Sequence, residues 1–292
     1  MARKHKMVSG LRDYYTLTKP EVNLLILMTT SAGYYLASRS PFEASGLVNT
    51  LIGTLLVASG TATLNQWMER LWDGQMRRTA NRPLPSGRLG AREALVFGIA
   101  LSMAGGLYLA IVVNPLAALL AVSTLLSYLL IYTPLKRKTP LCTVLGAIPG
   151  AMPPLIGWAG ASSSVDARAW MLFAVLFLWQ FPHFLAIALM YREDYARAGY
   201  KMLPDFDADG RFTRAEIFWF SVILVLATLV LMPRAGLISV IALSVAGIFF
   251  LCPAVCLVKT NSRVTASRVL HASVFYLPIV LVVAAVAKPS LP

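Results

Sequence analysis

The chain has 292 residues, 58% of them hydrophobic and only 13% charged, with a mean hydropathy of +0.68. That excludes an ordinary soluble domain, which has too little interior to hide so much apolar surface, and predicts an integral membrane protein. The formal net charge of +13 needs no nucleic acid, because lysine and arginine gathered on one face of a membrane protein, against anionic lipid, account for it.

A run of about 20 apolar residues crosses roughly 30 Å of hydrocarbon. Nine runs of this kind occur, approximately Val22 to Ala37, Leu47 to Gln66, Ala94 to Val113, Leu116 to Tyr132, Thr143 to Gly160, Trp170 to Met190, Ile217 to Met232, Leu237 to Val258 and Val269 to Ala287. They predict an all-α membrane protein of nine transmembrane helices. Of the 26 lysines and arginines, all but Arg39, Arg168, Arg234 and Lys288 fall in alternate connections on one side. The positive-inside rule puts that side, with the N-terminus, in the cytoplasm and the C-terminus outside. The basic start MARKHKMVSGLRDYY has no short apolar core with a cleavage site, so the first run reads as a retained helix.

The first run is preceded by LTKPEVN, a proline at a helix start with Lys19 free to snorkel toward the interface. The second run delivers Asn65, Glu69 and Asp73 at its inner end. Their spacing of four makes one polar stripe about 12 Å long. Arg77, Arg78, Arg82 and Arg88 follow at once, among Pro83, Pro85 and Gly87, which stop a helix and let guanidinium groups converge on an anion. Carboxylates for a divalent cation, followed by arginines for oxyanions, are what a diphosphate group needs. The blander reading pairs these carboxylates with the neighbouring arginines or uses them to hold helices together.

Asn114 and Pro115 join the third and fourth runs without charge, as a packing hairpin. The turn Tyr132 to Pro140 carries Lys136, Arg137 and Lys138, which satisfy the positive-inside rule and could also meet anionic groups of a substrate. The fifth run holds Gly146, Pro149, Gly150, Pro153, Pro154 and Gly157. So many breakers predict a kinked helix beside a cavity, since freed backbone groups must be satisfied away from lipid.

His183 in the sixth run is the only histidine deep within a span, and an ionisable residue at that depth is a functional candidate or a hydrogen-bonded core residue. Asp194 lies eleven residues further on, close to three helical turns, so in an unbroken helix both would face one cavity. Arg192, Glu193, Arg197 and Lys201 complete a second charged cluster there. Its position, four spans after the first, predicts one domain over 1–292 with a pseudo-repeat of helices 1–4 and 5–8 plus a ninth. Asp205, Asp207, Asp209, Gly210 and Glu216 match a calcium-loop pattern, but a capping box of Thr213 and Glu216 with a solvated acidic loop explains them more cheaply. The paired thiols Cys252 and Cys256 read as core filler rather than a metal site.

The block Asn65, Glu69, Asp73, Met76, Arg78, Thr79, Arg82, Pro83, Leu84 resembles that of the haem O synthases (protohaem IX farnesyltransferases), a branch of the UbiA-type intramembrane prenyltransferases. LTKP, YTPLKRKTP with GAIPGAMPPLIGW, and WQFPHF running into DYARAGYKMLP agree with it, covering about residues 14–204. Two departures stand out: Glu21 follows LTKP where members commonly have arginine, and Asp194 is not part of a clean D-x-x-x-D.

The resemblance implies Mg²⁺-dependent farnesyl transfer from farnesyl diphosphate to a vinyl group of haem b, with water addition, giving haem O. It implies Asn65, Glu69, Asp73 and Asp194 as metal ligands, and Arg78, Arg82 and Lys19 as partners of the diphosphate. Arg77, Glu193, Arg197 and Lys201 join the substrate-binding candidates. His183 would contact haem, and Lys136 and Arg137 its propionates. It further implies the bacterial inner membrane, with haem A synthase or a terminal oxidase assembly system as protein partners. Prenylation of a quinone or chlorin precursor, and a transporter with an internal repeat, are the alternatives.

Overall fold

A computed structural model describes residues 2–231 and 236–288, and every regular element among them is helical. Met232, the expected end of the seventh run, and Arg234 lie outside the described residues. In order the helices are α1 (Ala2–Leu17), α2 (Pro20–Ala37), α3 (Ala44–Asp73), α4 (Ala91–Val113), α5 (Pro115–Leu135), α6 (Cys142–Ser162), α7 (Ala167–Met190), α8 (Arg192–Arg197), α9 (Arg211–Leu231), α10 (Leu237–Thr260) and α11 (Arg263–Val286).

Eight of these, α3 to α7 and α9 to α11, are long and apolar enough to cross a membrane. The first predicted run forms α2, which has the length but not the apolarity, so the expected nine become eight by that measure. The reason is visible in its composition: Glu21 in its first turn, and Asn23, Thr29 and Thr30 buried against the bundle, lower its mean hydropathy although its outer face carries Val22 and Leu24. Helix α2 packs most closely on α6, where a Cβ added at Gly33 would strike the Pro154 carbonyl and one added at Gly157 the Thr30 carbonyl. Only glycine lets these backbones approach so closely, as at other membrane helix contacts.

The other half of the bundle is built on α7, which packs against α9 and α11, with α10 outside them. Leu155, Trp158, Leu172, Trp179, Leu224, Phe250, Tyr276 and Leu277 form its core. Its polar handles are satisfied internally, since water is not at hand: Trp179 Nε1 donates to the Ser273 carbonyl at 2.7 Å, and the Thr228 and Tyr276 hydroxyls lie 2.6 Å apart. Cys252 and Cys256 of α10 are exposed, so they are not core filler; they lie on the outer, lipid-side surface of the bundle.

Three irregularities shape the interior. Helix α4 ends in a π-helical turn at Leu109–Val113 and α5 in another at Ser127–Tyr132. Helix α6 is interrupted at Ala151 and Met152, as its run of prolines and glycines predicts. Asn114 joins α4 to α5 and caps the latter, accepting from the Ala117 N–H at 2.8 Å, while its amide donates to the Ala159 carbonyl at 2.8 Å.

The basic connections meet at one end of the bundle. Lys19 reaches Asn65, Lys136 reaches Glu69, Arg78 reaches Tyr195, and Asn261 donates to the Asp209 carbonyl. At the opposite end, Lys288 after α11 donates to the carbonyls of Tyr35 and Ser38 at 2.6 and 2.7 Å. The start of α9 differs from expectation. Its cap is Asp207, whose Oδ2 accepts from the Thr213 N–H at 2.7 Å, and the Thr213 hydroxyl is buried without a partner, so the Thr213 and Glu216 box does not form. Asp209 pairs instead with Arg211 at 3.3 Å.

Candidate active site

A cavity of about 390 Å³ opens at the basic end and runs down between α2, α3, α5, α6 and α7. On α3 its wall extends from Thr54 through Val57, Ala58, Thr61 and Ala62 to Asn65, Glu69 and Asp73. At 1.5 Å per residue that stripe is roughly 28 Å long. Its lower part is made of small and apolar groups, and its last two turns are polar. Gly146, Pro149, Gly150 and Pro153 of the broken helix α6 form the facing wall, where the missing side chains leave room.

At the polar end each carboxylate meets a cation. Glu69 Oε1 lies 2.8 Å from Lys136 Nζ, and Asp73 Oδ2 lies 2.7 Å from Arg82 Nη1. Glu69 and Asp73 are 5% and 1% exposed, so both pairs sit where water screens little. Lys19, held in a left-handed backbone conformation at the start of α2, donates from Nζ to Asn65 Oδ1 at 3.0 Å. The Asn65 amide donates in turn to the Thr133 hydroxyl at 3.2 Å, which fixes which end of the amide is the oxygen.

Burial, reinforced by the nearby Arg82 and Lys136 charges, pushes the Lys19 ammonium down to about 7. Burial pulls Lys136 the same way, but the adjacent Glu69 carboxylate outweighs it and holds the ammonium well above its ordinary value. Burial, with the Glu69 charge added, raises the Tyr200 phenol. The second oxygen of Asp73, Oδ1, is buried and has no hydrogen-bond partner.

Arg78 completes the rim, donating to the Tyr195 hydroxyl at 2.7 Å, with its guanidinium 4.9 and 5.2 Å from the Tyr195 and Tyr191 ring centres. This contact joins the loop after α3 to the segment after α7, as does the packing of Met76 on Ala198 and Tyr200. The two segments therefore meet at the rim mainly through Tyr195, Ala198 and Tyr200 rather than through the charged residues of the second cluster.

Asp194 does not reach the cavity. Helix α7 stops at Met190, Tyr191 leaves helical geometry, and α8 begins at Arg192. Asp194 is left buried, 3.3 Å from Arg197. The same break removes the expected alignment with His183, which lies off the cavity wall. Its ring stacks on Trp179 with centres 4.5 Å apart, and Nδ1 lies 2.8 Å from the Ser273 hydroxyl.

The remaining candidates are also off the wall. Arg77, Glu193 and Lys201 are exposed, and only the backbone of Lys201 takes part, donating to the Lys136 carbonyl at 2.7 Å. Arg197 is held by Asp194, Arg137 lies 4.3 Å over the Trp72 ring, and Arg88 pairs with Asp13 at 2.9 Å. Among the described residues no three Asp, Glu, His or Cys side chains gather as a metal-holding group, because the carboxylates of the cavity are two.

Four tyrosines of the wall, Tyr128, Tyr132, Tyr195 and Tyr200, escape the sequence reading. A signal for two of them exists: Tyr128, Tyr132 and Lys136 repeat the spacing of four that marks Asn65, Glu69 and Asp73. The ring centres of Tyr128 and Tyr132 are 4.9 Å apart, and Lys136 Nζ lies 4.4 Å from that of Tyr132. Chemically, this end can hold a polyanion and a divalent cation, while the body below it accepts a long apolar chain.

The model of the UbiA prenyltransferase family matches residues 26–288. A protein from Solibacter usitatus named protoheme IX farnesyltransferase is 47% identical over 96% of this chain and all of its own length. One of the same name from Koribacter versatilis is 41% identical over 95% of this chain and 93% of its own. Among solved structures, a digeranylgeranylglyceryl phosphate synthase superposes with a TM-score of 0.77 at 19% identity, covering 97% of this chain and 100% of that one. A UbiA homologue from Archaeoglobus fulgidus, described with GPP and Mg²⁺, gives 0.65 at 18% identity, covering 93% and 99%. At such identities the structural matches speak for the fold.

Proposed function

The chain belongs to the UbiA prenyltransferase family, and from that premise we propose that it transfers the farnesyl group of farnesyl diphosphate to a vinyl group of haem b, with addition of water, to give haem O. The relatives named protoheme IX farnesyltransferase support the acceptor. The observation that carries the chemistry is one cavity with an apolar body and a polar end of two carboxylates and four cations.

The apolar body takes the isoprenoid chain and the polar end its diphosphate. Arg78, Arg82, Lys136 and Lys19 neutralise the charge that grows on the diphosphate as the C1–O bond breaks, which is where electrostatic catalysis has most effect. The walls would keep bulk water from the allylic cation at C1, and the Tyr128 and Tyr132 rings line the cavity beside Lys136. The vinyl π electrons form the new C–C bond, and water adds to the resulting cation and loses a proton to solvent. The protein supplies no nucleophile.

Asn65, Glu69 and Asp73 fit a hard divalent cation: their donors are all oxygen, and Asp73 Oδ1 is buried and unclaimed. They would hold Mg²⁺, whose charge would assist departure of the diphosphate; the Archaeoglobus homologue described with GPP and Mg²⁺ supports this. Asp194 would have to leave Arg197 to join them. The gathering of lysine and arginine at the site's end of the bundle supports a cytoplasmic active site in a bacterial inner membrane. Product would then pass within the bilayer to a haem A synthase or a terminal oxidase.

The test is purified protein with haem b, farnesyl diphosphate and Mg²⁺, with pigments analysed by mass. A haem heavier by a farnesyl unit plus water, absent when EDTA is present, is expected. Unchanged haem alongside a prenylated quinone or chlorin precursor would replace the acceptor, and full activity in EDTA would remove the metal.

A further inference from the structure

The polar end of the cavity holds its charges in a particular order. Four basic side chains, Lys19, Arg78, Arg82 and Lys136, face two carboxylates, Glu69 and Asp73, and even without Lys19 the excess is one positive charge. Both carboxylates are already engaged, by Lys136 at 2.8 Å and Arg82 at 2.7 Å, and both lie where little water reaches. A divalent cation entering alone would add two further positive charges to that excess. It would also draw the carboxylates from their partners and leave a buried ammonium, Lys136 being 9% exposed, without a counter-charge. Breaking a buried pair in this way is among the costlier single events in a protein.

A diphosphate arriving with the metal reverses both penalties. It brings more negative charge than one divalent cation brings positive, and its oxygens can take the hydrogen bonds that Lys136 and Arg82 give up. Asp73 points the same way: Oδ2 is held by Arg82 while Oδ1 is buried and bare, so the carboxylate has one face for a cation and one that is released only when Arg82 turns.

We infer that Lys136 and Arg82 are exchanged between the carboxylates and the diphosphate, so that the site refuses a free divalent cation and binds metal and diphosphate as a coupled pair. This rests on the diphosphate reading above and adds to it an order of events: Lys136 and Arg82 guard Glu69 and Asp73 until an anion arrives. By linkage the coupling is reciprocal, so each ligand tightens the other by the same factor.

Mn²⁺ binding to the purified full chain, followed by loss of the free-ion EPR signal with and without inorganic pyrophosphate and corrected for the Mn²⁺–pyrophosphate complex in solution, tests it. Pyrophosphate is expected to tighten Mn²⁺ by about tenfold or more, within the usual range of coupling. In Lys136→Met, Mn²⁺ alone should bind more tightly than to the parent and the enhancement should shrink, with circular dichroism confirming an intact helical fold. Lys136→Arg should restore the coupling. Tight Mn²⁺ binding to the parent protein that pyrophosphate does not change would overturn the exchange while leaving a diphosphate site possible. Failure of Mn²⁺ to bind with or without pyrophosphate would remove the diphosphate reading itself, and the exchange with it.

Discussion

At the scale of single residues the site is governed by burial of charge. Asp73 is the sharpest case, 1% exposed, with one oxygen on Arg82 and the other free. Asp73→Asn keeps the volume and removes the charge, and is expected to lower turnover by about a hundredfold or more while leaving folded protein in the membrane, since one lost electrostatic contact at a reacting centre is worth that much. Arg78→Ala should behave alike, because it loses a cation at the rim and with it the Tyr195 contact. Product formation measured beside circular dichroism separates the chemical effect from unfolding; wild-type turnover in either variant would remove these residues from the mechanism.

At the scale of elements, stability turns on helix contacts and caps. Gly157 of α6 faces the Thr30 carbonyl of α2 with no room for a Cβ. Gly157→Val should therefore push the two helices apart and cost about 3 kcal/mol or more, at or beyond the usual range for overpacking, read as a lower unfolding temperature in detergent. Asp207 acts at the start of α9. Partial burial would raise its carboxyl, but the N–H of Thr213 outweighs this and holds it below the ordinary value of 3.8. A depressed folded-state value means that the stabilisation is present in full above about pH 4 and fades as the pH falls through the folded-state value. Asp207→Ala, which removes the acceptor, should lose about 1 kcal/mol at neutral pH, as for other lost caps, and should show a flatter acid limb in thermal unfolding than the parent protein.

At the scale of the whole molecule, the helices alternate so that the basic connections share one end, where the site also lies. The proposed orientation predicts that a cysteine placed at Ser86, exposed in the loop after α3, reacts with a membrane-impermeant maleimide only from the cytoplasmic side, in a background lacking Cys142, Cys252 and Cys256. One placed at Ser163, exposed between α6 and α7, should react only from outside. Labelling with the sides reversed would invert the protein and move the site to the other face.

What the sequence determined by itself was whatever depends on local pattern. Apolar runs long enough to span hydrocarbon are read from composition, the kinked α6 from its prolines and glycines, and the Asn65, Glu69 and Asp73 stripe from a helical period that α3 then keeps to its end. Nothing in those patterns says that α7 stops at Met190. Asp194 and His183 were expected on one face because an unbroken helix would put them there, and a single turn at Tyr191 separated them. Lys136 could be read as a surface charge because its partner, Glu69, is 67 residues away in the chain and only 2.8 Å away in space. Which charges pair, which carboxylate oxygen stays bare and which tyrosines close the cavity were decided by tertiary structure, because electrostatic energy inside a bundle depends on distance and burial, and neither is a property of sequence spacing.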